Sequence, residues 1–306
     1  MKKLLTYLII SASVFILVSC DKPAPTQLID DTSDEFEVEL LNKDLDNPYS
    51  SGTDTSGITQ DLTGVTNLIS VSGIKITTEN RSNEFSLAQA MFFDKSKPIR
   101  YSNGKLLAYQ TITPGTIKFN GTEAHVVPYR IRYREGGSPK DTLIGGKYLL
   151  YNITNGLPDP FYFPYNASVS FEYVPFIGGN NVSFNIVTPY EINGTVSLNG
   201  NKISKNLEAT LNWNGIGEKK VSVIVGLVIA DSIGGRQLHT IPIYKIKTAD
   251  DGELKIPGRF FNQLPLDRFE KIVFTFVRSY EGYRGSGNNE LLVSSQSIHS
   301  IILDIP

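Results

Sequence analysis

The chain has 306 residues, of which 40% are hydrophobic and 20% charged, and its formal net charge is −2. This composition excludes a disordered chain, and without a basic excess we expect no nucleic acid partner. The single cysteine excludes an intrachain disulfide and a cysteine metal site. Because the length exceeds a typical domain of about 100–200 residues, two domains are predicted.

Residues 1–20 have the layout of a secretory signal peptide: Lys2-Lys3 precede an apolar run from Leu4 to Val18. The run ends in Leu17-Val18-Ser19-Cys20, which resembles the lipobox of bacterial lipoproteins. In that family the cysteine is lipidated and becomes the first residue of the mature protein. The resemblance implies that residues 1–20 are a lipoprotein signal peptide and that a lipid on Cys20 makes the membrane a partner.

Two alternatives remain open for this segment. A transmembrane anchor needs about twenty apolar residues, and the run here is shorter. An ordinary signal peptide could instead end near Cys20. The lipoprotein interpretation places the protein in the bacterial cell envelope, at the outer membrane or cell surface rather than the inner membrane. Asp21, however, resembles an inner-membrane retention signal of some Gram-negative bacteria.

Residues 21–61 are predicted to form a flexible acidic tether, since acidic and polar stretches bury too little apolar surface to offset ordering entropy. Within this segment, Glu35–Leu40 alternates polar and apolar residues, as a half-buried strand does. These residues could dock on the first domain or could remain part of the tether.

Residues 62–187 are predicted to form an N-terminal β domain, because alternating segments follow one another with turn residues between them. Asn-Gly between apolar runs is a strong hairpin signal, and it occurs at Asn103-Gly104 and Asn120-Gly121. The apolar segment Phe85–Phe93 is predicted as a buried strand rather than a helix. The aromatic run Pro158–Tyr165 could bind a sugar, but packing beneath a crossover is favoured.

Residues 188–306 are predicted to form an immunoglobulin-like β-sandwich, because about seven short strands alternate with Gly and Asn turns. Trp213 is predicted to lie buried between its sheets, and Arg259–Leu264 to form one helical turn. The segments Leu207–Trp213 and Asp250–Pro257 resemble the extracellular β-domains of bacterial surface lipoproteins, a resemblance that brings no catalytic residues. The expected fold is therefore all-β, with two β-sandwich-like domains.

No catalytic residues are predicted. His125, His239 and His299 are far apart in sequence and lie in or near strand patterns, and no Gly-x-Ser-x-Gly motif occurs. Ser102-Asn103-Gly104-Lys105 matches Ser-x-x-Lys, but that spacing works on a helix and Asn-Gly predicts a turn. Asp250-Asp251-Gly252 is acidic but lacks the further spaced ligands of a calcium loop. We therefore expect no enzyme, no metal and no cofactor.

The segment Tyr280–Asn289 is predicted as a long loop between two strands. Tyr, Arg, Gly, Ser and Asn are the residues that binding loops favour, so Tyr280, Tyr283 and Arg284 are candidate partner-binding residues. A mobile glycine-rich hairpin without a binding role is the alternative, and the composition of the segment favours it. The function that we expect is an exported, membrane-anchored lipoprotein that binds a protein or glycan partner without catalysis. An anchored hydrolase of envelope or extracellular polymers and a structural envelope component are the alternatives.

Overall fold

The computed structural model describes residues 36–40, 67–136, 138–152, 161–217, 220–230, 238–285 and 290–306. The predicted signal peptide, Cys20 and most of the predicted tether lie outside these residues. Within the described ranges, no helix is long and apolar enough to cross a membrane.

The described chain is almost entirely β-structure, as predicted. Its strands, in chain order, are β1 (Phe36–Leu40), β2 (Asn67–Thr78), β3 (Arg81–Arg100), β4 (Leu106–Ile112), β5 (Gly115–Phe119), β6 (Thr122–Glu123), β7 (His125–Glu135), β8 (Ser138–Asn152), β9 (Ser168–Pro175), β10 (Val182–Val187), β11 (Gly194–Asn199), β12 (Glu208–Trp213), β13 (Lys220–Ala230), β14 (Leu238–Ala249), β15 (Glu253–Ile256), β16 (Lys271–Arg284) and β17 (Leu291–Asp304). A short helix, α1 (Gly258–Asn262), and a 3₁₀ turn, Leu266–Arg268, connect β15 to β16.

Three sheets form from these strands. The large sheet has ten strands in the order β1-β14-β13-β16-β17-β2-β3-β8-β7, with β4 also pairing to β3. A four-stranded sheet has the order β10-β9-β5-β6, and a three-stranded sheet has the order β11-β12-β15. Side chains alternate between the two faces of a strand, so each small sheet can bury one of its faces against the large sheet.

Two hydrophobic cores lie between the large sheet and the small ones. One contains residues of β11 to β17, including Trp213, Val223, Phe274 and Phe276. The other joins β2, β3 and β8 to the four-stranded sheet, through residues such as Ile117 and Phe171. The prediction of an all-β fold with two β-sandwich-like parts is confirmed. The C-terminal part has seven strands, β11 to β17, divided between two sheets as in an immunoglobulin-like sandwich.

The two sandwiches share the large sheet. Strand β17, from the C-terminal end of the chain, pairs in parallel with β2, from the N-terminal half, over Leu291–Ile301 and Asn67–Thr77. The predicted boundary between residues 187 and 188 therefore separates two sandwiches that have a continuous sheet in common.

Strand β1 corrects the prediction that residues 21–61 form a tether throughout. Phe36–Leu40 pairs antiparallel with β14, so it lies on the C-terminal sandwich and not on the N-terminal one. Phe36 and Val38 pack against the C-terminal core, and Lys220 Nζ donates to Glu37 Oε1 at 2.6 Å. Phe36 and Val38 thus bury apolar surface against the C-terminal core, which the surrounding acidic residues do not have.

The segment that connects β10 to β11 is fixed to β17 by side chains on one face of that strand. Ser295 Oγ donates to the carbonyl oxygen of Val187 at 2.5 Å, and Ser297 Oγ accepts from the amide of Ile192 at 2.8 Å. His299 Nδ1 accepts from the amide of Gly194 at 2.8 Å. Three alternate residues of β17 therefore fix the segment that connects the four-stranded sheet to the three-stranded sheet.

On the opposite face of β17 and the adjoining faces of β2 and β3, several buried polar side-chain atoms have no hydrogen-bond partner among the described residues. Pairing places Ser294, Ser70 and Gln89 in one row across β17, β2 and β3, and Gln296 beside Ser72 in the next. Within the described part of the chain, the three hydroxyls, Gln89 Nε2 and Gln296 Oε1 have no hydrogen-bond partner. Such atoms lose their hydration on folding, so these rows lower the stability that the adjacent apolar residues provide.

Most of the local predictions are confirmed. Phe85–Phe93 lies within β3, and α1 is the predicted single helical turn. Trp213 is buried, with 7% of its surface exposed. Phe161 and Phe163 of the aromatic run are also buried, as packing beneath a crossover requires, while residues 158–160 lie outside the described residues.

A buried ion pair connects β16 to the turn after β14. Arg278 Nε donates to Asp250 Oδ2, and Arg278 Nη2 donates to Asp250 Oδ1, both at 2.8 Å. Trp213 Nε1 also donates to Asp250 Oδ1 at 2.8 Å. The remaining guanidinium protons reach main-chain carbonyls of Tyr190, Glu191 and Asn214 at 2.9–3.3 Å. In the acidic turn Asp250-Asp251-Gly252, the carboxylate of Asp250 is therefore paired with the guanidinium of Arg278.

Candidate functional site

The prediction of a long loop at Tyr280–Asn289 is wrong for its first half. Strand β16 continues to Arg284 and pairs with β17 up to Leu291, so Tyr280, Tyr283 and Arg284 are strand residues. The ladder extends this far because the facing strand begins with the apolar residues Leu291, Leu292 and Val293. Residues 286–289 of the predicted loop lie outside the described residues.

The strand conformation separates the three candidate residues. Successive side chains of a strand point to opposite faces, so Tyr280 and Arg284 share one face and Tyr283 lies on the other. Tyr283 pairs with Leu292, which belongs to a cluster on the far side of the sheet, and is 60% exposed. The structure therefore brings together only two of the three residues on the face that the four-stranded sheet covers.

Strand β10 lies alongside that face. The guanidinium carbon of Arg284 lies 4.5 Å from the centre of the Phe184 ring, within the range of a cation–π contact. At the other end of β10, the carbonyl oxygen of Val187 accepts from Ser295 Oγ, and Ser295 pairs with Tyr280. These two contacts position β10 along the end of the β16–β17 hairpin.

The free edge of β10 can be identified from the hydrogen bonds of its neighbour. Asn185 lies opposite Ser170 of β9 in the ladder, but the backbone of Ser170 forms its hydrogen bonds on the other side, to Asn120. The main-chain amide of Ser170 donates to Asn120 Oδ1, and the carbonyl of Ser170 accepts from the main-chain amide of Asn120. Hydrogen-bonded and non-hydrogen-bonded pairs alternate in an antiparallel ladder. The amide and carbonyl of Asn185 therefore point away from β9, as do those of Ser183 and Val187.

The outward groups of β10 face the hairpin and not another strand. In the described part of the chain, β10 pairs with β9 alone, and the carbonyl of Val187 is directed to Ser295. A Cβ atom added to Gly282, which lies between Tyr280 and Arg284 on the same face, would meet no atom within 4 Å. The position that a side chain of Gly282 would occupy is therefore open, between the contacts that Ser295 makes with Val187 and Arg284 makes with Phe184.

Strand β10 lacks the protecting residues found on the outer strands β1, β7 and β15, and the outer strand β11, with the sequence GTVSLN, lacks them as well. Proteins shield exposed edges with charged side chains, proline or very short strands. Glu37 lies on β1, Pro128 and Arg130 lie on β7, and β15 has only four residues, two of them charged. Strand β10 has the sequence VSFNIV, with no charge and no proline, and its end residues Val182 and Val187 are 44% and 60% exposed. We refer to the outer edge of Val182–Val187 together with Tyr280, Gly282 and Arg284 as the β10 edge site.

The chemistry of the β10 edge site is hydrogen bonding and apolar contact. It offers main-chain donors and acceptors, an aromatic ring and a guanidinium, and none of the three histidines belongs to it. His125 lies in β7, His239 in β14 and His299 in β17, which places the first two near opposite ends of the large sheet.

His299 lies in β17 and is buried. Its Nε2 lies 2.9 Å from Thr77 Oγ1, while Nδ1 accepts from Gly194. Burial lowers its pKa to about 4, and the positive charge of Lys75 acts in the same direction. The imidazole is therefore neutral near pH 7, and both nitrogens have structural partners.

The other motifs that the sequence suggested have structural roles. Ser102-Asn103-Gly104-Lys105 forms the turn between β3 and β4, as predicted, where the amide of Gly104 donates to the carbonyl of Tyr101. Among the described residues, no three His, Cys, Asp or Glu side chains come together as metal ligands. The β10 edge site itself was missed in the sequence, because its signal is an uncharged strand whose outermost position depends on long-range pairing.

The chain shows little similarity to known proteins. No family model matches it, and no curated protein matches it. Among solved structures it is similar to the yeast delta-COP-I mu-homology domain, at 9% identity and a TM-score of 0.25, over 78% of this chain and 95% of that one. The same domain complexed with a Dsl1 WxWxV peptide gives 7% identity and a TM-score of 0.22, over 78% and 96% of the two chains. Similarity at this level carries no argument about function.

Proposed function

We propose that this protein is an exported lipoprotein, anchored in the bacterial cell envelope by a lipid on Cys20, that binds a partner without catalysing a reaction. The β10 edge site is the observation that carries the binding part of the proposal. It combines main-chain hydrogen-bonding groups with Tyr280 and Arg284, and aromatic and arginine side chains dominate the energetics of binding interfaces.

Two further features favour binding over an anchored hydrolase. General acid–base catalysis needs a titratable group within hydrogen-bond reach of the reacting atoms. His125 and His239 lie on strands far apart in the large sheet, and His299 has both ring nitrogens in structural contacts. A binding role needs none of these groups.

The binding proposal is tested by capture of partners from intact cells with a crosslinker. We expect Arg284→Ala and Tyr280→Ala each to weaken capture, by about thirtyfold if the residue is a true hot spot. Tyr162→Ala is the matched control, since Tyr162 is 66% exposed and lies outside the β10 edge site. Tyr283→Ala tests the opposite face of β16. Capture that is unchanged in all these variants, with the fold intact, would contradict a role for this region.

The anchor is tested separately. We expect the parent protein to enter the detergent phase on partitioning and Cys20→Ser to stay in the aqueous phase, because two or more acyl chains hold a protein firmly at a membrane. The measurement is the fraction of each protein in the two phases, with Ser19→Ala as a control that keeps the cysteine. Equal partitioning of parent and Cys20→Ser would show that Cys20 is not the lipid attachment site.

A further inference from the structure

We infer that the partner is an extended peptide segment that adds to the four-stranded sheet as a fifth strand along the outer edge of β10. The inference rests on the proposed binding function and specifies its ligand as a peptide rather than a glycan. Addition of a strand to an exposed edge is a general mode of peptide recognition, in which the main chain supplies affinity and alternate side chains supply specificity.

The main-chain geometry supports this ligand. Asn185 and Ser183 each direct an amide and a carbonyl away from β9, and Val187 directs its amide the same way. This alternation of donors and acceptors, repeated at every second residue, matches the backbone of another strand. A glycan offers hydroxyl groups, which do not reproduce this alternation of an amide donor and a carbonyl acceptor.

An added strand would lie over the exposed end of β16. Neighbouring strands lie about 4.8 Å apart, so an added strand would run beside β10 over the face of β16 that carries Tyr280, Gly282 and Arg284. The absence of a side chain at Gly282 leaves its position open. The carbonyl of Val187 already accepts from Ser295 Oγ, so the remaining edge, Val182–Ile186, is about 17 Å long and accommodates a segment of about five residues.

The chemistry of the edge defines the peptide. Side chains of an added strand alternate between the core side and the solvent side, and those on the core side would meet Tyr280 and the rim of the core around Phe184. We therefore expect apolar residues at alternate positions of the peptide and no proline at the positions that pair with Ser183 and Asn185. A second copy of this chain, paired edge to edge through β10, is the alternative occupant, and the mass measurement below distinguishes it.

The test uses the full-length protein in detergent and a displayed library of random twelve-residue peptides. The strongest selected peptide is then synthesised, and its affinity is measured for the parent, Asn185→Pro and Asn185→Ala. Proline removes the outward amide of residue 185 without removing a bond to β9, whereas alanine keeps that amide. We expect binding to fall at least tenfold in Asn185→Pro and to change by less than about threefold in Asn185→Ala.

A second measurement does not depend on the stability of the proline variant. The selected peptide is N-methylated at alternate residues in two versions, one for each alternation. In a strand, amides alternate between the two edges, so we expect one version to lose binding at least tenfold and the other to keep it. Equal effects of the two versions, or selected peptides that bind Asn185→Pro as tightly as the parent, would overturn strand addition.

Other outcomes are distinguishable from these. If the library yields no binder while crosslinking in cells still captures a partner through Arg284, strand addition is wrong and the binding function stands. If light scattering gives the parent the mass of two copies and Asn185→Pro the mass of one, a second copy occupies the edge and the peptide proposal is overturned.

Discussion

Replacing Asp250 with alanine is expected to lower the free energy of unfolding by about 3–5 kcal/mol, because the guanidinium of Arg278 would remain buried without a counter-charge. Arg278 and Asp250 are 1% and 2% exposed, and the two residues share two hydrogen bonds of 2.8 Å. Urea denaturation measures the loss. The matched control is Asp251→Ala, at an exposed neighbouring carboxylate that accepts only from the Glu253 amide, at 3.3 Å, and it should change stability by about 1 kcal/mol at most.

The same pair should show strong coupling in a double-mutant cycle. Arg278→Ala removes the buried charge but leaves the Asp250 carboxylate buried with Trp213 Nε1 as its remaining side-chain donor. The double variant Asp250→Ala/Arg278→Ala should therefore cost less than the sum of the two single changes, since neither charge remains. Additive losses, or an Asp250→Ala protein as stable as Asp251→Ala, would show that the ion pair does not hold this region together.

The location of this ion pair links stability to the candidate site. Arg278 lies on β16, two residues before Tyr280 on the same face, and bonds the carbonyls of Tyr190 and Glu191 in the segment between β10 and β11. Ser295 and Ser297 of β17 hold the same connection. The end of β10 and the face of β16 beneath it are therefore fixed to one another by polar contacts, of which only the one at the carbonyl of Val187 belongs to the β10 edge.

Local patterns in the sequence predicted the β-structure well. The buried strand at Phe85–Phe93, the helical turn near Phe260 and the burial of Trp213 all follow from apolar spacing and turn residues within short windows. The pattern at Glu35–Leu40 also indicated a strand, although the surrounding acidic sequence led to its inclusion in a tether. Such features depend on a few neighbouring residues and can therefore be inferred without the fold.

The pairing of strands could not be predicted in the same way. Parallel pairing joins β17, the last strand of the chain, to β2 in its N-terminal half, and no local pattern encodes that partner. The extension of β16 to Arg284 likewise depends on β17, since Gly282 and Gly285 alone suggest a loop. The β10 edge site follows from both, because only the complete sheet order shows that β10 is an outer strand and that Tyr280 and Arg284 lie beside it.

Replacing Trp213 with alanine is the other change for which we expect a loss of about 3–5 kcal/mol, because it removes a large aromatic side chain from the core of the C-terminal sandwich. The ring lies 6.0 Å from that of Phe276, centre to centre, and the indole nitrogen donates to Asp250. Thermal and urea unfolding measure the loss. Trp213→Phe keeps most of the apolar volume and removes the hydrogen bond, so it should cost distinctly less than alanine.

Fluorescence gives an independent reading of the same residue, because Trp213 is the single tryptophan of the chain. We expect emission typical of a buried indole in the native protein and a red shift in urea that coincides with the unfolding transition. Since Asp250 accepts from the indole, the emission should also shift in Asp250→Ala even where that variant remains folded. Emission typical of a water-exposed indole in the native protein, or a Trp213→Ala variant with an unchanged melting curve, would contradict the position of Trp213 between the sheets.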